Sequence, residues 1–154
     1  MANMAAPMRL SGLARRLVNE GLLTEEQALH AQAAAKEAKQ PFVTYLVNHK
    51  ILASADIAAI ASQEFGVPLF DIDAMNLDLA ATSLIQEKLI RQHNALPLFQ
   101  RGKRLYVAVS DPTNLQALDE FQFNTAMNTF PVLVDEQKLS NIIEKALDKT
   151  NEKL

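Results

Sequence analysis

The side chains best suited to chemistry are scattered along this sequence. His30, His49 and His93 are far apart, and none has a neighbour at metal-ligand spacing, so we predict ordinary surface histidines. Asp71 and Asp73 stand two residues apart in a segment that we predict to be extended, so their carboxylates would point the same way, as a paired general acid and base would. Solvated carboxylate pairs have the same spacing, and we favour that interpretation.

Phosphate chemistry has no recognisable motif either. A Gly-Lys pair at 102–103 has Pro97 where the first glycine of a P-loop would stand, and Arg104 where its hydroxyl would be. Asp111 and Pro112 are interpreted as a helix N-cap and the first helical residue, because the aspartate itself would occupy the free N–H groups. With no cysteine in the chain, thiolate sites are excluded. We predict a non-enzyme without catalytic residues, cofactor or metal.

Arg15 and Arg16 are the most informative charges. They lie on a predicted helix whose apolar stripe runs through positions 10, 13, 14 and 17. Arg16 is spaced to pair with Glu20 on a solvated face, which is the simplest interpretation. Arg15 flanks the stripe, and an apolar groove bordered by arginine is also typical of a protein interface.

The elements that position these arginines are written twice. Residues 17–19 and 23 read Leu-Val-Asn and Leu, as do residues 46–48 and 52. Gly21 follows the first helix, where a left-handed residue ends a helix without steric strain, and Lys50 replaces it in the second copy. Thr24 is predicted to cap the next helix in a capping box with Gln27, and Ser54 to cap its counterpart. Two helix-turn-helix units of this kind would form a small bundle.

The pattern changes after residue 66. Two apolar runs, at 95–99 and 105–109, flank a charged turn and indicate a hairpin. A third strand is predicted at 130–134 and a closing amphipathic helix at 136–149. We therefore predict an α+β fold: a helical bundle of two repeats over residues 8–66, followed by a small α/β subdomain with a short sheet and flanking helices over residues 67–150.

Bulk properties narrow the class of protein. The 154 residues are 49% hydrophobic and carry a net charge of −3, which disfavours a nucleic-acid binder. No run is long and apolar enough for membrane insertion or a signal peptide. We expect a cytoplasmic protein.

Several segments in this order carry a family resemblance. FGVPLFDID, LPLFQRGKRLYVAVSDPTNLQALDEFQF and VLVDEQKLSNIIEKAL, with GLARRLVNEGLL and AKQPFVTYLVNHKIL before them, together resemble the N-terminal, MshEN-like domain of type II secretion and type IV pilus assembly ATPases. The resemblance covers residues 10–147 and is greatest to the pilus extension ATPases. It implies an excised regulatory module whose hexameric motor, with ATP and Mg, lies outside this chain.

Some members of this family bind cyclic di-GMP through tandem copies of Arg-Leu-Gly-x-x-Leu-Leu-x-x-Gly-Leu-Leu. Here the arginine and first glycine positions hold Gly12 and Ala14 in the first copy. The second copy has Pro41 and Val43 there, and Lys50 in place of the closing glycine. Because the arginines that would clamp phosphate or stack on guanine are missing, we expect no direct binding of the dinucleotide.

Other members dock PilZ, a small adaptor protein, and resemble this chain in the string Ala-Arg-Arg-Leu-Val at 14–18. The resemblance implies a non-catalytic docking module that relays adaptor binding to the motor. We predict that its surface is bordered by Leu13, Arg15, Arg16, Leu17, Leu22, Leu23, Phe42 and Tyr45. The other partners implied are the rest of the ATPase hexamer and an inner-membrane platform protein. The alternatives are a cyclic di-GMP receptor and a structural spacer that positions the motor on that platform.

Overall fold

A computed structural model describes residues 10–74, 76 and 79–152 and confirms the α+β fold. Four helices come first, and a short 3-10 turn at Ile72–Ala74 leads to a three-stranded sheet with its own helices. The helices are α1 (Gly12–Asn19), α2 (Glu25–Glu37), α3 (Phe42–Asn48), α4 (Ser54–Phe65), α5 (Leu79–Thr82), α6 (Glu87–His93), α7 (Leu115–Thr125) and α8 (Glu136–Glu152); the strands are β1 (Leu96–Arg101), β2 (Arg104–Val109) and β3 (Asn128–Leu133). None of the helices in these ranges combines the length and apolar content that a membrane span requires.

The helices α1 to α4 form the predicted bundle of two repeats. In each repeat the first helix packs on its own second helix and also on the second helix of the other repeat, so α1 contacts α2 and α4, and α3 contacts α4 and α2. These are the contacts that a pseudo-twofold relation between the repeats produces. Leu13, Leu17, Leu46 and Ile57 fill the bundle core and are at most 1% exposed.

Both repeats end their first helix in the same way. Gly21 has φ of +79° and Lys50 has φ of +56°. The N–H one residue beyond each of them donates to the carbonyl five residues earlier, at 3.0 Å in the first repeat and 2.9 Å in the second, as in a Schellman motif. The capping box that opens α2 is confirmed, because Thr24 Oγ1 accepts from the Gln27 N–H at 3.1 Å and Gln27 Oε1 accepts from the Thr24 N–H at 2.9 Å.

The sheet has the order β1-β2-β3. The predicted hairpin and third strand are confirmed: β1 runs antiparallel to β2, and β3 runs parallel to β2. Leu105, Val107 and Val109 alternate along β2 and are at most 2% exposed, as expected for residues on one face of a strand. Together with Phe121 of α7 and Leu139 of α8, they belong to a second hydrophobic core.

Two predicted helix starts are wrong. The Asp111 carboxylate accepts from the Thr113 N–H at 2.9 Å and from its hydroxyl at 2.6 Å, which closes a local turn, and α7 begins only at Leu115. This local turn satisfies the aspartate before the helix begins. In the second repeat Ser54 is already the first helical residue, and Ala53 holds the cap position without a side-chain bond.

The two halves are in direct contact. Both α3 and α4 pack on α8, and Leu133 at the end of β3 belongs to the hydrophobic cluster of the helical bundle. The division into 8–66 and 67–150 stays a prediction, and its first two residues lie outside the described ranges. The second repeat is therefore the part of the bundle that joins the α/β half.

Candidate functional site

The two arginines of α1 lie in different surroundings. Arg16 Nε is 3.3 Å from Glu20 Oε2, and Arg16 Nη1 is 3.2 Å from Glu64 Oε1 on α4. The predicted Arg16–Glu20 pair is confirmed, and a link between the repeats is added to it. Arg15 is exposed and makes no ion pair with any residue in the described ranges. Arg15 is therefore the arginine available to a partner.

The leucines predicted to border the partner surface lie mostly inside the bundle. Leu13 and Leu17 are 0% exposed and Leu23 is 5% exposed, whereas Leu22 is 36% exposed. The three buried leucines belong to the bundle core. Only Leu22 of this group presents much of its side chain to solvent.

Phe42 and Tyr45 of α3 are half-buried and pack against the bundle core. The Tyr45 ring stacks on the His49 ring, with 4.0 Å between ring centroids. Such stacking holds Tyr45 along its own helix. Among the predicted surface residues, the accessible positions are therefore Arg15 and Leu22, with Arg16, Phe42 and Tyr45 partly covered.

A comparison of equivalent positions separates the two repeats. With Leu17 aligned on Leu46, Arg15 aligns with Thr44 and Leu29 with Ala58. Thr44 is 9% exposed and Ala58 is 3% exposed, whereas Arg15 is exposed and Leu29 is only half-buried. At both positions the first repeat is more open than the second.

The contact between α3 and α8, beside Thr44, contains a buried carboxylate. Glu136, the first residue of α8, is 1% exposed. It accepts from Ser110 Oγ at 2.6 Å, Asn94 Nδ2 at 2.5 Å and Ser140 Oγ at 3.4 Å. The hydroxyl of Thr44 makes no hydrogen bond of standard geometry, yet it lies near enough to favour the charged carboxylate. Burial outweighs these groups and raises the pKa of Glu136 to about 7.

The other candidate carboxylates have a structural role. Asp71 Oδ1 and Asp73 Oδ2 lie 3.5 and 3.6 Å from Nζ of Lys138 on α8. The two carboxylates raise the pKa of Lys138, as opposite charges at this distance do. All three side chains are at least 47% exposed, so the prediction of solvated carboxylates is confirmed. The predicted extended segment is wrong, because Ile72–Ala74 forms a 3-10 turn that includes Asp73.

The prediction of surface histidines is right for His30 and His49, which are exposed, and wrong for His93. His93 is 6% exposed, its Nε2 lies 3.0 Å from Glu120 Oε2, and its ring meets Phe121 edge-on. Sequence spacing could not show this burial, because Glu120 lies 27 residues away. Within the described ranges, no three His, Asp or Glu side chains are grouped to hold a metal ion.

A cleft of about 550 Å³ lies between the two halves. It lies beside the α2–α3 turn, between that turn and residues of α6 and the start of α7. Lys36 and Lys39 supply positive charge, and Oε1 of Gln40 is buried without a hydrogen-bond partner. Its lining is rich in amides: Gln32, Ala35, Lys36, Lys39, Gln40, Pro41, Phe42, Gln92, His93, Asn114 and Gln116. The sequence offered no signal for this cleft, since its residues come from separate segments and AKEAKQ resembles an ordinary polar helix end.

Comparison with known proteins identifies a domain family and several relatives of this chain. The family model described as the MshEN domain matches residues 65–152. The type IV pilus assembly ATPase PilB of Pseudomonas aeruginosa is 37% identical over 96% of this chain and 26% of its own length, and PilB of Acinetobacter baylyi is 37% identical over 94% and 25%. PilB of Myxococcus xanthus is 26% identical over 86% of this chain and 24% of its own. The chain thus spans about a quarter of the curated relatives it matches.

Solved structures agree on the fold. A structure of MshE with cdg superposes with a TM-score of 0.60 at 24% identity, covering 87% of this chain and 97% of that one. The N-terminal domain of XpsE gives a TM-score of 0.64 at 17% identity, covering 89% and 96%.

A bundle of two helical repeats joined to a small mixed sheet is therefore the fold that this chain shares with MshE and with the N-terminal domain of XpsE. The family match extends over more than half of the residues. This chain belongs to the MshEN domain family.

Proposed function

We propose that this domain is a non-catalytic regulatory and protein-interaction module of a PilB-type pilus extension ATPase, which docks a PilZ-type adaptor and relays its binding to the motor. The similarity to PilB from three bacteria supports the first part. In the cell the domain would lie in the cytoplasm at the inner-membrane pilus machine. Its other partners would be the rest of the ATPase hexamer and the platform protein.

The observation that carries the docking proposal is the openness of the first repeat. Arg15 on α1 is exposed and Leu22, in the turn after α1, is partly exposed, whereas Thr44, the equivalent of Arg15, is buried next to α8. Arginine is enriched at protein interfaces because its planar fork binds carboxylates in pairs of hydrogen bonds. A partner could bind Arg15 as a charged anchor, and Leu22 offers apolar surface three residues beyond the end of α1.

The test is calorimetric titration of the domain with a PilZ-type adaptor. Arg15→Glu is expected to weaken binding by about 10-fold or more, since it places a carboxylate where the partner expects a cation. Lys103→Glu, which makes the same charge change in the exposed β1–β2 turn, serves as the matched control and should bind normally. Equal affinities for the wild type and Arg15→Glu would contradict the proposal.

Arg16 is a less clean probe than Arg15. Arg16→Glu would bring a third carboxylate beside Glu20 and Glu64, which Arg16 now pairs, so part of any loss would come from repulsion within the domain. A melting curve of each variant, recorded beside the titration, separates that effect from a lost contact.

A cyclic di-GMP-binding function is the second candidate, and the cleft between the halves favours it. MshE was solved with cdg, which we interpret as cyclic di-GMP, and here Lys36 and Lys39 would meet its phosphates. In this case titration with cyclic di-GMP should give a micromolar or tighter dissociation constant that Lys39→Glu weakens. Absence of heat at millimolar nucleotide would remove this candidate.

A further inference from the structure

The pseudo-twofold arrangement of the bundle creates two equivalent places for a packing helix. One place lies on α3 and α4, and α8 occupies it. The equivalent place lies on α1 and α2. The two positions that are more exposed in the first repeat than in the second lie on these helices, Arg15 on α1 and Leu29 on α2.

Where α8 packs on α3 and α4, small side chains of the bundle face it. The first residue of α8, Glu136, brings its carboxylate close to Thr44 of α3, and Ala58 of α4 is 3% exposed. A small hydroxyl suffices beside the carboxylate because Ser110 and Asn94 bind the carboxylate from the other half.

In the first repeat the same two positions hold larger side chains. Arg15 stands in place of the hydroxyl and Leu29 in place of the methyl group. A guanidinium can hold a carboxylate bidentately without help from a second set of donors. Leu29, which is partly exposed, offers apolar surface for a side chain of a bound helix. The place is therefore complementary to an amphipathic element that has one carboxylate opposite Arg15.

We propose that the first repeat receives an amphipathic helix of the partner protein, with an aspartate or glutamate in its first turn bonded to Arg15 and an apolar side chain packed on Leu29. The bound helix takes the place that α8 takes on the second repeat. A carboxylate in the first turn also suits the helix dipole, as Glu136 does in α8. This proposal rests on the docking function proposed above.

The experiment maps the partner element with a PilZ-type adaptor as the probe. A photo-reactive benzoylphenylalanine is placed at Leu29, irradiated in the complex, and the crosslinked adaptor peptide is identified by mass spectrometry. The expected peptide is a helical segment with an acidic residue in its first turn. Changing that residue to arginine should weaken binding to the wild-type domain by about 10-fold and restore binding to Arg15→Glu.

The outcomes separate this inference from the docking function. An adaptor that binds but crosslinks through a strand or loop, or whose charge swap fails to rescue Arg15→Glu, overturns the helix while leaving docking intact. An adaptor that does not bind the unmodified domain overturns both. Crosslinking at Phe123, an exposed residue of α7, is the matched control and should give no adaptor peptide.

Discussion

The first and second repeats share an apolar frame and differ in what surrounds it. Leu17 and Leu46 are both fully buried, and both repeats end their first helix with a left-handed residue. The difference lies at Arg15 and Thr44, one open to solvent and the other beside Glu136. Both repeats therefore keep the same buried leucines, whereas the residue type at the position of Arg15 and Thr44 differs with its exposure to solvent.

The repeats also differ in how their helices begin. In the first repeat, Ser11 Oγ accepts from the Ala14 N–H at 3.1 Å and Thr24 completes a capping box. In the second repeat, Pro41 and Ala53 hold the cap positions without side-chain bonds. The first repeat thus caps both of its helices with side chains, and the second repeat caps neither.

The largest expected effect tests the shared frame. Leu17→Ala and Leu46→Ala should each destabilise the domain by about 2–5 kcal/mol, because each leaves a cavity in the core. The two free energies of unfolding, measured in urea, should lie close together. A loss below about 1 kcal/mol for either variant would mean that its leucine is not a core residue of the frame.

The next effect tests the joint of the second repeat. Burial favours the protonated Glu136, so the native state holds this proton more tightly than the unfolded chain does. The resulting stabilisation is complete below pH 4.5 and is lost as the pH rises to about 7, a change on the order of 3 kcal/mol.

Glu136→Gln should remove this pH dependence and leave the fold intact, since the Ser110 hydroxyl can rotate to accept from the new amide. The measurement is the free energy of unfolding of both proteins between pH 4 and pH 8, at intervals of about half a pH unit. Parallel profiles for the two proteins would contradict the assignment of Glu136.

A smaller effect should have opposite signs in the two repeats. Gly21→Ala should cost about 1–2 kcal/mol because alanine is strained at positive φ; an added Cβ at this position meets no atom within 4 Å, so the loss is conformational. Lys50→Gly should relieve the same strain and stabilise the domain by about 1 kcal/mol. Thermal melts that move in the same direction for both variants would be inconsistent with matched helix ends.

The smallest effect concerns the helix starts. Thr24→Ala should cost about 1 kcal/mol because the capping box is lost. Ser54→Ala should change stability by less than about 0.5 kcal/mol, since Ser54 makes no cap bond. Similar losses for both substitutions in denaturant titrations would show that the repeats are capped alike.

Local patterns predicted much of the fold. The stripe through Leu13 and Leu17, the capping box of Thr24 and the hairpin all depend on residues within a few positions of one another, and each is confirmed. The burial of Glu136 and His93 could not be predicted, because their partners lie 26 and 27 residues away. The start of α7 was missed because Asp111 forms its own turn.

The candidate site was less predictable than the fold. The sequence drew attention to Arg15 and Arg16 but could not show that Glu64 pairs with Arg16, or that Leu23 is buried while Leu22 is partly exposed. The openness of the first repeat could not be predicted, because it depends on α8 packing on the second repeat instead. The cleft could not be predicted either, because Lys36, Gln92 and Asn114 come from separate segments that only folding brings together.

Hydrogen–deuterium exchange of the domain, with and without a PilZ-type adaptor, tests the central claim most directly. If the first repeat is the docking side, adaptor binding slows exchange in peptides from α1 and α2 and leaves the β1–β2 hairpin unchanged. Slowed exchange confined to the hairpin or to α7, with α1 and α2 unaffected, would contradict the account.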